Sequence, residues 1–311
     1  MIDSSSHFLK TIGLRVSRLA VGGSHFGVSV HRKDVRRIVS TALDMGVNFF
    51  DTADIYGKGE SESTLGNALY GRRHDVVIAT KFGHDGAAKG ASREAMTQCL
   101  HKSLKRLKTD YIDLYQLHAP DPLTPAEETI STLQSWVKAG KIRCYGICNV
   151  KSSEIEHYCR IAQAMAGEPP ASIQNPINIL NYQSYKEIQP SLKAFELGAL
   201  AAIPLARGLL GGRYRSVLDV PQTHPLSGYK GLGYRNIRTK NAINRLTHAA
   251  KQLNRSPSLL ALEVILASEG MVSVLVGISN PNQLLSLIDL NPSLLQQKTI
   301  DYVFGRRLAL D

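Results

Sequence analysis

Residues 48–57 read Asn48-Phe49-Phe50-Asp51-Thr52-Ala53-Asp54-Ile55-Tyr56-Gly57, a short apolar run that ends in a carboxylate and passes into a loop carrying a tyrosine. An apolar run of this length, bounded by a polar turn, is the signature of a strand buried on both faces. Two further runs end in the same way, Val77-Ile78-Ala79-Thr80-Lys81 in a lysine and Leu114-Tyr115-Gln116-Leu117-His118 in a histidine. In a parallel α/β barrel the reactive side chains sit where strands give way to loops, so all of these residues would face one mouth.

Working outward, short apolar runs alternate with amphipathic stretches along the whole chain, the pattern of a parallel sheet with crossover helices. The expected strands are Leu19–Val21, Asn48–Asp51, Val76–Thr80, Asp113–Leu117, Cys144–Ile147, Ile173–Asn175, Ala201–Ile203 and Val274–Val276, about eight, which is the barrel number. Helices are expected over Lys33–Met45, Ser92–Leu107, Thr124–Ala139, Ser153–Met165 and Tyr185–Leu197, with Gly140 and Gly198 as stop signals. Phe8 to Val16 looks like a small hairpin ahead of the barrel, and the tail from Pro292 onward an added helix. No Pro-, Gly- or Ser-rich linker divides residues 1–311, so one barrel domain is expected, with a long loop over the mouth from Arg213 to about residue 240.

Composition narrows the class. The 311 residues are 43% hydrophobic and 20% charged, a globular balance. No apolar run reaches the roughly 20 residues of a membrane helix and the start lacks a secretion signal, so a cytoplasmic protein is expected, with no membrane partner. Cys99, Cys144, Cys148 and Cys159 form no CxxC pair, so neither a metal site nor a disulfide framework is expected. The net charge of +11 comes from scattered basic residues, which favours a solvated surface over a nucleic-acid patch.

Singly, Asp51 could cap a helix, Lys81 end a loop, Tyr56 pack, and His118 be a satisfied histidine. Gathered at one mouth from three strand ends, the four suit carbonyl chemistry. A nearby ammonium stabilises phenolate and lowers a tyrosine pKa from about 10, so that Tyr56 can give or take a proton near neutrality. Asp51 would hold Lys81 charged, and His118 would orient the substrate oxygen. No GxGxxG opening a helix and no P-loop occurs.

These residues resemble the aldo-keto reductases, from about Thr11 to Leu290. Thr11–Leu19 is similar to that family's opening hairpin, residues 48–57 with Glu60 to Leu65 to its first signature, Ala79-Thr80-Lys81 to its lysine strand, and Tyr111–His118 to its histidine strand. The resemblance implies a (β/α)8 TIM barrel, NADP or NAD bound extended across the mouth, hydride transfer to a carbonyl, and Tyr56 as general acid. It further implies cofactor contacts at Gly23, Asp51, Cys148, Asn149, Gln174, Pro204, Leu205, Arg207, Leu210, Arg213, Gly277, Ser279 and Gln283.

The departures carry information. Cys148 stands where the family has Ser, and Ala201-Ala202-Ile203 precede Pro204 where many members stack an aromatic ring on the nicotinamide, leaving Tyr214 or Tyr234 as replacements. Gly277 and Gln283 stand where strongly NADPH-preferring members hold a 2′-phosphate with Lys and Arg, which weakens discrimination between the cofactors. His25, Phe26, Ile55, Tyr56, Phe82 and His118 are expected to line the pocket for a small carbonyl or sugar-like substrate. Two alternatives to a reductase stay open: a sugar or lactol dehydrogenase running oxidatively, and a cofactor-sensing regulatory subunit with little turnover. Monomer and homo-oligomer are equally compatible.

Overall fold

In the computed structural model, residues 7–9, 13–84, 90–215, 217–220 and 236–310 are described. The run that ends in Asp51 forms β4 (Phe49–Asp51), buried along its length, between β3 (Leu19–Gly22) and β5 (Val77–Phe82). The other strands are β6 (Ile112–Leu117), β7 (Ile142–Cys148), β8 (Ser172–Pro176), β9 (Gly198–Ala202) and β10 (Met271–Gly277). All pair in parallel, and β10 pairs with β3, closing an eight-stranded barrel. The expected (β/α)8 architecture is thus observed.

Between the strands run α1 (Arg32–Asp44), α2 (Glu60–Ala68), α3 (Arg93–Leu107), α4 (Ala126–Lys138), α5 (Ser152–Ala164), α6 (Tyr182–Ala194), α7 (Ile237–Gln252) and α8 (Pro257–Leu266). Local chemistry sets their ends. The Ser92 hydroxyl accepts from the Ala95 N–H at the start of α3, and Ser256 accepts from Leu259 N–H at the start of α8, which has Pro257 in its first turn. Gly140, at φ +68°, ends α4 as expected.

The barrel is closed below and open above. A hairpin of β1 (His7–Leu9) and β2 (Leu14–Val16) puts Leu14 and Val16 into the same buried cluster as Ala20, Phe49, Val77, Leu114, Cys144 and Leu200, the apolar lower layers of the barrel. A second, larger cluster fills the space between barrel and helices. After the short α9 (Pro281–Leu285), the expected added helix appears as α10 (Gln297–Val303), packed on α7.

Three boundaries differ from expectation. Gly198 does not stop α6: Glu196 does, at φ +54°, and Gly198 opens β9. Gly198-Ala199-Leu200 has no β-branched residue, so it reads as the tail of a helix although its burial makes it a strand. The loop after β9 ends at Asn236, short of residue 240, because Ile237 already belongs to α7; the Asn236 side chain accepts from Thr239 N–H at 2.8 Å, and Thr239, Ala242, Ile243 and Leu246 give the helix its buried face. Tyr229, Tyr234 and most of that loop lie outside the described residues.

Helices α2 and α3 touch through their backbones. A Cβ at Gly66 would stand 2.6 Å from the carbonyl carbon of Leu107 and 2.7 Å from the Arg106 oxygen, atoms that cannot turn aside. Alanine at an ordinary helical position gains about 1 kcal/mol over glycine. Here overpacking outweighs that gain, and Gly66→Ala is expected to lower the unfolding free energy by roughly 1–3 kcal/mol. Chemical denaturation checks this, and a stabilised variant would show that the helices can part.

Candidate active site

The β-strand alternation decides which side chains reach the mouth. On β5, Val77, Ala79 and Lys81 point into the barrel while Ile78, Thr80 and Phe82 point to the helices. Lys81 is fully buried, with its ammonium 2.7 Å from Asp51 Oδ2 on β4 and 2.8 Å from the Thr52 carbonyl. Gln174 on β8 reaches across from the far wall and donates from Nε2 to Asp51 Oδ1 at 2.8 Å. Asp51 is thus held from two sides, by β5 and by β8.

Tyr56 follows β4 on a tight turn, residues 56–59, in which Gly57, Lys58 and Gly59 take left-handed φ of 56°, 56° and 93°. A side chain at Gly59 would strike Arg106 at 2.7 Å and one at Gly57 would strike Val28 at 2.5 Å, so both glycines are needed for the turn to close. It brings the Tyr56 ring centre to 5.1 Å from the Lys81 nitrogen and sets it edge-on to His118, centroids 6.0 Å apart. All four residues read as catalytic from the sequence therefore meet at one point.

Their electrostatics refine the expectation. Burial pushes the Tyr56 phenol upward and Lys81 pulls it down, but burial, with Asp51 and Cys148 adding to it, prevails, and the net direction is up. The expected lowering by Lys81 is present and is outweighed. Burial pulls the Lys81 ammonium down, yet Asp51, Tyr56 and Cys148 raise it above its ordinary value, so it keeps its charge. His118 is driven down to about 3, first by burial and then by Lys81 and His84, and its Nδ1 is buried with no hydrogen-bond partner among the described residues.

The neighbouring strand ends supply amides and space. Asn149, just past β7 at φ +57°, donates from Nδ2 to the His118 carbonyl at 2.8 Å, and its backbone N–H donates to the Gln174 carbonyl at 3.1 Å. Cys148 is buried beside Lys81 and Asp51, and burial lifts its thiol to about 12. Gly23 donates to the Asp51 carbonyl at 2.7 Å, and a Cβ there would meet Phe26 at 3.1 Å. Gly277, at the end of β10 beside Gly22, faces open space.

Other expected contacts are placed less directly. Pro204 and Leu210 are buried and Leu205 half-buried, so the loop after β9 can offer chiefly backbone, while Arg207 and Arg213 are exposed. The Ser279 N–H and hydroxyl both donate to Gln283 Oε1, at 2.8 and 3.0 Å. Tyr214 is buried in the outer core cluster.

Two pocket assignments are corrected. Phe82 has no exposed surface; as the outward neighbour of Lys81 it stacks on Tyr115 with centroids 4.7 Å apart. Phe26 is likewise fully buried in the outer core. His25 and Ile55 stay accessible, the former 3.2 Å from Ser29 through Nδ1. His84 was not anticipated: its ring lies 4.9 Å from that of His118, on a loop where no strand-end pattern marks it. Asp54 was also missed, although it sits within the opening stretch. Burial first, then Glu62, lifts its carboxyl to about 6 against the lowering effect of Cys99.

Among the described residues no group of three metal-ligating side chains gathers, and no helix is long and apolar enough to cross a membrane. None of the four cysteines is in a disulfide, and all are buried.

The sequence profile of the Aldo/keto reductase family matches residues 18–304. Aldo-keto reductase YhdN of Bacillus subtilis (strain 168) is 33% identical over 294 residues, covering 89% of this chain and 86% of its own. The structure of aldo-keto reductase AKR11C1 from Bacillus halodurans (holo form) superposes with a TM-score of 0.81 at 30% identity, covering 96% of this chain and 95% of that one. Glycerol dehydrogenase AKR11B4 from Gluconobacter oxydans superposes with a TM-score of 0.84 at 26% identity, covering 98% and 96%.

Asp54 offers a test of the site's electrostatics. Its carboxyl is raised from 3.8 to about 6, so the folded state binds the proton more tightly. Stability is therefore lost as pH rises between those values, and the cost is fully present above the upper one. Asp54→Asn removes the cost and is expected to gain on the order of 1–3 kcal/mol over wild type near neutrality, with the gain vanishing in acid. Denaturation at both pH values checks it; an equal gain in acid would refute the raised carboxyl.

Proposed function

The chain belongs to the aldo/keto reductase family and is an NAD(P)-dependent carbonyl oxidoreductase; on that premise we propose that it reduces an aldehyde or ketone, with Tyr56 as general acid. The observation that carries this is the fully buried Lys81–Asp51 pair with the Tyr56 ring beside it. A phenol raised above its ordinary value stays protonated at neutral pH, which suits a proton donor better than a base.

The strand ends fit a nicotinamide. Asn149 and Gln174 bring side-chain amides to the mouth, Gly277 keeps one strand end bare, and the buried His118 Nδ1 gives the cleft a polar group with no partner among the described residues. A reduced nicotinamide supplies the hydride that goes to the carbonyl carbon. Tyr56 gives its hydroxyl proton to the carbonyl oxygen, closing the balance at one alcohol. Lys81 stabilises the resulting phenolate, Asp51 holds Lys81, and Gln174 holds Asp51. His118, kept neutral, orients the substrate oxygen through a ring nitrogen without placing a second positive charge beside Lys81.

Oxidation of a sugar-like alcohol is the second reading. It is favoured by Ala201-Ala202-Ile203 ahead of Pro204, where many family members carry the aromatic ring that stacks on the nicotinamide, and by the similarity to a glycerol dehydrogenase. That direction asks Tyr56 to act as a base, which its raised phenol opposes until Lys81 is brought fully to bear.

Tyr56→Phe is expected to lower kcat by about 10²–10⁴-fold while cofactor affinity stays within a factor of about two. Lys81→Met is expected to lose as much and to shift the alkaline limb of the rate profile. Undiminished turnover in the tyrosine variant would remove Tyr56 from the mechanism.

At the adenosine end, Gly277, Ser279 and Gln283 carry no charge. The dissociation constants for NADPH and NADH are therefore expected to agree within about tenfold, since one missing charged contact is worth roughly 1.5–3 kcal/mol. A hundredfold preference for NADPH in fluorescence titration would place a cation elsewhere on the 2′-phosphate.

A further inference from the structure

Away from Asp51, Tyr56, Lys81 and His118, a cavity of about 900 Å³ opens beside the ends of β8 and β9. One wall is the stretch of residues 176–181 after β8, a second is Ile203, Ala206 and Arg207 after β9, and a third is the beginning of α7 as far as Arg245. Phe304 and Gly305, just after α10, close it. None of the four mouth residues lines it.

Its charge is one-sided. Arg207, Arg238 and Arg245 all line it, and among the described residues no carboxylate does. Asn178, Asn181, Asn236 and Asn241 add amides. Like charges gathered in one concavity repel, and the field they make attracts an anion. The arginine deepest in α7 is set in place: Arg245 donates from Nε to the Val303 carbonyl at 3.3 Å, and Gly305, at φ +73°, leaves bare the spot where a Cβ would lie 2.9 Å from that guanidinium. The first turn of α7 also has no acidic residue and carries Arg238, a cation at the positive end of a helix dipole, where an anion would relieve both.

We infer that this cavity is a second ligand site, for a small organic phosphate monoester. Guanidinium forks match phosphate oxygens bidentately, and Arg238 together with Arg245 suits a dianion better than a carboxylate. The body of the ligand would lie against Ile179, Leu180 and Phe304, the apolar part of the wall. The site stands independently of the roles given to Tyr56 and Lys81, and its test reads binding and no turnover.

The probe is phenyl phosphate, which has neither a carbonyl nor an alcohol for hydride transfer, titrated calorimetrically into the full chain without cofactor. One saturable site is expected, weakened at least ~10-fold by Arg238→Ala and by Arg245→Gln, with nicotinamide-cofactor affinity unchanged in both. Inorganic phosphate should bind more weakly than phenyl phosphate. Arg238 is exposed, so Arg238→Ala decides the matter should Arg245→Gln disturb the packing of α10. The inference is overturned by no saturation up to about 10 mM, a free energy too small for a site. It is equally overturned by binding that both variants leave intact, by competition with saturating cofactor, which would put the phosphate in the cofactor's own site, or by equal affinity for inorganic phosphate.

Discussion

A fully buried ammonium is the constraint around which the mouth is arranged. Lys81 has no contact with solvent, and its charge is tolerable only because Asp51 Oδ2 and the Thr52 carbonyl lie within 2.8 Å. Desolvating such a pair costs several kcal/mol per ion, which its mutual attraction repays only in good geometry. Good geometry here means the register of β4 against β5, Phe49 opposite Val77 and Asp51 opposite Ala79, since a slip of one residue would turn Lys81 into the apolar layer under α2 and α3. Gln174 extends the requirement to β8, half the barrel away. The closure of the barrel and the survival of the charged pair are thus one condition.

The pair also orders the protonation of its neighbours. Burial first and then the Lys81 charge keep His118 neutral, and the attraction of Lys81 for Tyr56 is set against burial that drives the phenol up. The result is a cleft with an ion pair at its base, a protonated phenol beside it and a neutral imidazole, a set of protonation states produced by environment more than by residue type. Asp54 shows the contrast. It lies three residues from Asp51 in the same stretch, but burial, with Glu62 adding to it, outweighs Cys99 and Arg106 and lifts its carboxyl to about 6.

The group gathered at the mouth is legible in the sequence because a barrel presents side chains there from a place that primary structure marks, the point where an apolar run stops. Asp51, Lys81 and His118 each end such a run, and Tyr56 follows one. What periodicity could not assign was which way a residue next to the run's end points. Phe82 follows inward Lys81 and so faces the helices, and Phe26 is folded back over Gly23. His84 came into the site by the course of a loop, which carries no period at all. The β9 boundary was obscured for a different reason: alanine and glycine have no strand preference, and only burial between β8 and β10 makes Gly198–Ala202 a strand.

The loop leaving β9 is the physical link between the mouth and the arginine-lined cavity. Ile203, Ala206 and Arg207 all sit at left-handed φ, between 47° and 56°, followed by Gly208 at 93°. Each non-glycine residue there costs about 1 kcal/mol or more, so the conformation persists only because its surroundings dictate it. The Asn178 amide reaches the Ile203 carbonyl at 3.4 Å from the cavity side, while Ala206, Gly208 and Leu210 N–H groups tie back to Ile203 and Leu205. One side of this segment is the Pro204–Arg213 stretch that the family resemblance assigns to the cofactor, and the other side lines the cavity. A strained segment of this kind has few alternative conformations, so its cofactor-side stretch and the cavity wall are held in place by the same left-handed residues.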